Sequence, residues 1–339
     1  MSEKTTFSRL SGSRLHIGAS AIALAITAAA PALAGGTFTT FDVGGATATV
    51  AFDINAQGTA LGSYTDANNR SHGFLRAADG TITAFDPHHS RNTWPMSING
   101  HGDVTGYYAI NKYTSAGFVR RAGGKISRFD PAGSYGTLPC CINNSGAIAG
   151  YYRDIHSDYH GFVGAPGGTV TSFDPPGSIL TTVTGMNDKG DISGNYQVSG
   201  GVIHGFFRSA DGTITSFDVK KTGGTFPNGL GPGNAVIGTY TKGAMAAGFI
   251  RSGSGRITRF DPRGSEDTFP FGINRSRTIV GYFDDSAGEH GFLRAANGQF
   301  TVFDVPTATD TEAWGINAAG DVAGTYYDGT TNHGFIRTP

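Results

Sequence analysis

"HGFLRAADGTITAFD", residues 72–86, places a His, two Phe and an Asp in one short run. Taken alone, His72 and Asp86 read as two halves of a catalytic or metal site. Near-copies return as "HGFFRSADGTITSFD" (204–218) and "HGFLRAANGQFTVFD" (290–304), which makes the run a building block.

Aligning on "FD" gives the organisation. Asp42, Asp86, Asp130, Asp174, Asp218, Asp261 and Asp304 each follow a Phe, at a period of 43 to 44 residues. Seven residues on stands a Thr: Thr49, Thr93, Thr137, Thr181, Thr225, Thr268 and Thr311. Six further is Asn in every copy but the fifth, which has Gly231, and seven beyond that is a Gly throughout. Such a period, seven times over, marks a repeat architecture. Each copy holds four short segments rich in Ile, Val, Thr, Tyr and Phe, with Gly, Asn or Ser turns between them. In the second they are "TWPMSIN", "DVTGYYA", "AGFVRR" and "KISRFD". In "TITAFD", Ile82 and Phe85 fall on opposite faces, as a sheet packed on both sides requires.

The chain past residue 34 opens with one "FTTFD" strand and stops at "HGFIRTP", one strand short of a full set. A first strand that completes the last sheet gives seven sheets of four, a seven-bladed β-propeller whose closure protects its edges. A β-solenoid is the alternative, but it does not need this one-strand offset.

The "HGF" triplets at 72–74, 160–162, 204–206, 290–292 and 333–335, with "AGF" at 116–118 and 247–249, resemble the HAF repeat of exported bacterial proteins. So does the context "FDPRGSEDTFPFGINRSRTIVGYF". The resemblance covers essentially all of the chain beyond its N-terminal segment. It implies a periplasmic or extracellular protein and brings no catalytic residues with it.

Residues 1–34 read as a secretory signal peptide: Lys4, Arg9 and Arg14, then "IGASAIALAITAAA", then "ALA" before Gly35. Residues 35–339 are then one repeat domain, with no later membrane span. A net charge of −1 with 15% charged residues offers no polyanion-binding surface, so nucleic acid is not an expected partner. Cys140 and Cys141 are the only cysteines, and two unbonded residues on a strand are expected ahead of a vicinal disulfide.

Asp and Thr in all seven copies, with His in five, speak for scaffolding, because catalysis uses one asymmetric constellation. The fourteen Asp and Thr are expected to anchor the crossovers between sheets, each Asp accepting from its Thr hydroxyl, turn N–H groups or the His. The His drops out twice, at Ala116 and Ala247. Loop acids Asp66, Asp154, Asp285 and Asp328 offer oxygens of the kind Ca²⁺ takes, but in no known calcium-loop pattern, and no cofactor or metal is expected. Function is expected where a copy departs from the pattern. That singles out His88, His89, Arg91 and Trp94 in "DPHHSRNTW", Arg263, Glu266 and Asp267 in copy six, and Glu312 and Trp314 in copy seven. Arg supplies a bidentate donor and Trp a stacking platform for a sugar or an anion. The expected function is a monomeric module binding a saccharide, small molecule or protein on the loop-lined crossover face. The alternative is a secreted hydrolase or lyase acting on a saccharide or small molecule at the central mouth.

Overall fold

The computed structural model describes residues 35–165, 168–220 and 223–339. The proposed signal segment, residues 1–34, lies outside them. The described residues form 28 strands, numbered here β1 (Thr37–Phe41) to β28 (Asn332–Thr338), one 3-10 turn at Pro232–Asn234 and no α-helix. No helix among them is long and apolar enough to cross a membrane.

Each copy folds as a four-stranded antiparallel meander. In copy two, β6 (Asn92–Ile98), β7 (Val104–Ala109), β8 (Ser115–Arg120) and β9 (Ile126–Phe129) pair in that order. Four copies stand as separate four-stranded sheets, while copies two, three and four are joined into one twelve-stranded sheet. The hydrogen-bonded sheet is not closed on itself. β1 pairs antiparallel with β28, Phe38 opposite Arg337 and Phe41 opposite Gly334, so the first strand is the fourth of the last copy's sheet.

The core lies between sheets, in layers that repeat with the sequence. The Phe of each Gly-Phe pair is fully buried in all seven copies: Phe74, Phe118, Phe162, Phe206, Phe249, Phe292 and Phe335. In six of them it meets the "FD" Phe of the copy before edge-to-face, with centroids 5.9 to 6.3 Å apart. Burying one Phe stabilises by about 1.5–3 kcal/mol, and the edge geometry adds about 0.5–1.5. An Arg at the end of the third strand lies over the same "FD" Phe, as Arg120 does over Phe85 at 5.1 Å and Arg208 over Phe173 at 4.8 Å.

Every innermost strand carries a bulge, as between Pro95 and Ser97 in β6 or Pro139 and Cys141 in β10 (Ser134–Ile142). The Gly that recurs in every second strand sits opposite it. A Cβ on Gly106 would lie 2.3 Å from the Trp94 carbonyl oxygen, and one on Gly194 2.0 Å from that of Thr182. Here the Gly answers a close backbone approach.

The recurrent Asn does more than form a turn. The Asn143 side-chain oxygen accepts from Ser145 N at 3.1 Å and Ala147 N at 3.0 Å, closing its own hairpin. Its Nδ2 donates to the Asn187 carbonyl of the next copy at 3.2 Å. The same bond runs from Asn55 to Asn99 and from Asn99 to Asn143. It also runs from Asn274 to Asn317, and from Asn317 back to Asn55 at 3.2 Å. Where Gly231 replaces Asn, Asn187 reaches the side chain of Asn234 instead. An amide carries a donor nitrogen and an acceptor oxygen on separate atoms and so makes both bonds at once, whereas a carboxylate only accepts.

Candidate functional site

The chain presents two ends: one of crossovers and second-to-third hairpins, the other of Asn turns. The crossover end holds the Asp, Thr and His repeats.

The Asp–Thr relation follows the residue after the Asp. Where that residue is Pro, no N–H is available. The Thr hydroxyl then donates to the Asp: Thr93 to Asp86 at 2.5 Å, Thr137 to Asp130 and Thr181 to Asp174 at 2.6 Å. Where it is Val, the direction reverses and the Val N–H donates to the Thr hydroxyl, as Val43 to Thr49, Val219 to Thr225 and Val305 to Thr311. The expected Asp–Thr bond thus holds in three copies and is replaced in three others. In copy six, which has Asp261–Pro262, Thr268 donates to Ser265.

Every crossover Asp has a cationic or ionisable partner. His72, His160, His204, His290 and His333 use Nδ1 to hold Asp86, Asp174, Asp218, Asp304 and Asp42 at 2.6 to 3.0 Å. Where the His is missing, Arg128 holds Asp130 and Lys242 holds Asp261. Four of these His use Nε2 to face a second carboxylate, Asp66, Asp154, Asp285 or Asp328. Burial opposes charge on His72, but the bonds and charges of Asp86 and Asp66 outweigh it and raise its pKa. His160, His290 and His333 are raised in the same way. The loop acids also close their own turns: Asp66 accepts from Asn68 N and Arg70 N, and Asp154 from His156 N and Asp158 N. Among the described residues no group of three or more His, Cys, Asp or Glu is placed to hold a metal ion.

The residues singled out by departure from the repeat fall into separate places. His88 and His89 are exposed in the copy-two crossover, with ring centroids 3.8 Å apart. His89 has φ 64°, where the equivalent crossovers have Gly133, Gly177 and Gly264. Arg91 is exposed and gives its N–H to Ala109. Trp94 stacks on Tyr107 at 5.1 Å. In copy six, Arg263 and Glu266 are exposed, while Asp267 accepts Ala246 N at 2.5 Å and so caps a strand of copy five. Trp314 is buried against Phe271 at 4.3 Å and Tyr282 at 5.7 Å. The described contacts of the copy-two group do not reach those of copies six and seven.

Copy six holds a feature the linear pattern hides. Asp267, Asp284 and Glu289 stand directly opposite one another on three adjacent strands, with Asp310 and Glu312 of copy seven beside them. Like charges in cross-strand register repel. Burial, then Glu289, Asp267 and Asp310, push the Asp284 carboxyl up to about 7. Burial and the hydrogen bond to Glu312 push Glu289 up to about 8. Glu289, Asp310, Glu312, Tyr326 and Tyr327 help line a cavity of 220 Å³.

Three further residues sit on the first strands of their copies. Cys140 and Cys141 are disulfide-bonded to each other at the β10 bulge, which corrects the expectation of two unbonded residues. Asp53, on the bulge of copy one, accepts from Ile98 N at 3.0 Å and Ile54 N at 2.8 Å, and burial pushes it up to about 6. Six other copies have Ser97, Cys141 or a Gly there, so alignment within the chain would have marked it.

At the Asn-turn end, one cavity of 590 Å³ is lined by residues of all seven copies. Its walls include the aliphatic side chains preceding the Asn positions, Ile98, Ile142, Met186, Leu230, Ile273 and Ile316. Its rim carries Asn144, Asp188, Lys189 and Arg275. Asn144 holds Asp188 through its N–H at 3.1 Å and its Nδ2 at 3.0 Å, while Lys189 and Arg275 are exposed. The volume lies in the range of small-molecule sites, and the lining is amphipathic, the aliphatic side chains standing beside a ring of Asn with Asp188, Lys189 and Arg275.

No family model and no curated protein sequence matches this chain. Several solved structures do. Virginiamycin B lyase from Staphylococcus aureus is 14% identical, covers 90% of this chain and 100% of its own, and has a TM-score of 0.60. The β-propeller domain of the trilobed protease from Pyrococcus furiosus is 10% identical over 86% of this chain and 94% of its own, at 0.61. TolB from Acinetobacter baumannii is 11% identical over 76% and 64%, at 0.51. At such identities the likeness shows the fold alone: this chain is all-β and of the β-propeller type.

Proposed function

We propose that the seven four-stranded sets are the blades of one closed ring, and that this ring is a monomeric binding module exported from a bacterial cell as a HAF-repeat protein. Its ligand is a small amphipathic molecule with an anionic group, seated in the Asn-turn cavity. The observation that carries this reading is the cavity itself, to which all seven copies contribute. The aliphatic wall takes an apolar body, and Lys189 and Arg275 face an anion at the rim. The bond from Asn317 to Asn55 and the pairing of β1 with β28 support closure.

The test uses 1-anilinonaphthalene-8-sulfonate, an aromatic body carrying a sulfonate. Its fluorescence should rise saturably at one site. Leu230→Trp, which fills the cavity, should weaken binding about tenfold, a change of about 1.4 kcal/mol. Binding that ignores Leu230→Trp removes the reading.

A second reading, an enzyme, is favoured by the near-neutral carboxyls of Asp284 and Glu289, since an acid or base works best with a pKa near ambient pH. Loss of virginiamycin B on incubation, abolished by Glu289→Gln, would support it. An intact antibiotic removes that substrate.

A further inference from the structure

Among the described residues seven large apolar side chains are exposed, and six of them lie at the crossover end of copies two to five: Tyr113, Tyr135, Ile155, Ile179, Val202 and Met245. Tyr135 and Ile179 occupy one repeat position, at which copies two and six have Arg91 and Glu266. Chance would scatter seven such residues over both ends and all copies. Arg153 draws Tyr113 and Tyr135 together within this group, and exposed apolar side chains gathered in this way mark an interaction site.

The arc is held rigidly. The inter-copy strand bridges of the described residues fall here and nowhere else: Gly136 with Ser115, Tyr159 with Leu180, and Ile203 with Gly224. Elsewhere the equivalent junctions are made by side chains, such as Asn92 to Ser71 N and Asp310 to Glu289 N. Arg153 ties three loops together. Its guanidinium donates to the Tyr113 carbonyl at 3.2 Å and lies 5.1 Å over the Tyr135 ring, and Ile155 stands two residues on. Preorganised Tyr and Arg are the side chains that anchor protein interfaces.

Charge selects the partner. Lys112, over the Tyr113 ring at 4.6 Å, and Arg153 stand among the exposed apolar groups. The carboxylates of these loops are engaged internally, Asp130 by Arg128, Asp154 by turn N–H groups and Asp174 by His160 and Thr181, with Asp158 the exception. Copies six and seven carry the acidic row from Asp267 to Glu312, in which burial favours the neutral forms of Asp284 and Glu289. An acidic partner finds its opposite charges here instead, at Lys112 and Arg153. We propose that the crossover end of copies two to five is a docking surface for an acidic polypeptide segment that carries apolar side chains. This surface is separate from the Asn-turn cavity, and neither reading depends on the other.

The test is fluorescence anisotropy on the purified chain with a labelled twelve-residue peptide alternating Glu with Leu and Phe. Controls alternate Glu with Ser, and Lys with Leu and Phe, and vesicles of phosphatidylglycerol stand for a lipid surface. The acidic apolar peptide should bind at least tenfold tighter than either control. Tyr113→Ser/Tyr135→Ser/Ile155→Ser should weaken it at least tenfold with an unchanged Tm, and Arg153→Glu should invert the preference between acidic and basic peptides. Ile155→Ser alone, at a side chain 74% exposed, keeps the test open if the triple variant folds poorly. Equal binding of the Glu–Ser peptide, preference for the Lys peptide, or vesicle binding with no peptide binding overturns the proposal. Self-association abolished by the same substitutions also overturns it, since the occupant is then a second copy.

Discussion

Asn143→Ala removes one bond between neighbouring copies, and its cost follows bond by bond. Asn143 is 5% exposed. Its oxygen accepts two backbone N–H groups, from Ser145 and Ala147, and the Ser145 hydroxyl, and its Nδ2 donates to the Asn187 carbonyl. Exposed Ser145 can turn its hydroxyl to water, and each of the three bonds to backbone contributes about 1 kcal/mol net, so the substitution should cost about 3 kcal/mol. Asn143→Asp separates the two roles. A carboxylate still accepts both turn N–H groups but leaves the Asn187 carbonyl without its donor, at a cost of about 1–3 kcal/mol. Asn111→Ala is the comparison, because Asn111 accepts from Tyr113 N and Thr114 N in an exposed turn and should cost under about 1 kcal/mol. Urea unfolding followed by circular dichroism, with equal m values, gives the three differences. If Asn143→Asp is as stable as the parent, the Asn is only a turn former and the inter-copy staple is refuted.

Other outcomes follow from single features. His89→Gly should stabilise by about 1 kcal/mol, since a left-handed residue other than Gly carries a cost of that order; a lower Tm would show that the paired His rings contribute more than the strain. The raised pKa values of His72, His160, His290 and His333 give stability that is full below the unfolded His value near 6.5 and is lost as pH rises through the higher folded values. Asp284 and Glu289 act in the same direction, their favourable neutral forms being lost as pH rises from the unfolded carboxyl range through about 7 and 8. Tm should therefore fall between pH 5 and pH 9, and Asp284→Asn/Glu289→Gln should flatten that fall; an unchanged slope would refute the role of the acidic row. Iodoacetamide in denaturant should label no cysteine before reduction and two after it, by mass spectrometry, and labelling without reductant would contradict the Cys140–Cys141 bond.

Much of the fold was legible because its determinants are local and repeated. The "FD" spacing, the alternation within each segment and the one-strand offset were enough to expect four strands per copy and the pairing of β1 with β28. The pairing of His with Asp was legible for the same reason: His72 and Asp86 recur together, and they meet at 2.7 Å. What was missed depends on contacts between copies. The amide of Asn143 looks like turn chemistry until its second bond to Asn187 is seen. The recurrent Gly, as at Gly106, shows in the sequence only as a fixed spacing, and its reason is the bulged strand it lies against. Asp267, Asp284 and Glu289 are spread over 23 positions and meet only through strand register. Trp314 was marked because it breaks the pattern, yet an aromatic that breaks a repeat can do so by filling the space beside Phe271. The Asn-turn cavity escaped notice because its wall is the most regular part of each copy.

Closure of the seven copies into a ring can be measured directly as a distance. Nitroxide labels at Ala56 and Ala318, exposed neighbours of the first and last Asn turns, measure it by double electron–electron resonance. Stacked sheets lie about 10 Å apart, so a ring brings the two labels, tethers included, to within about 30 Å. An open stack of seven sheets places them about 60 Å apart. The short distance should be the dominant population, and a distribution centred beyond about 50 Å would contradict ring closure.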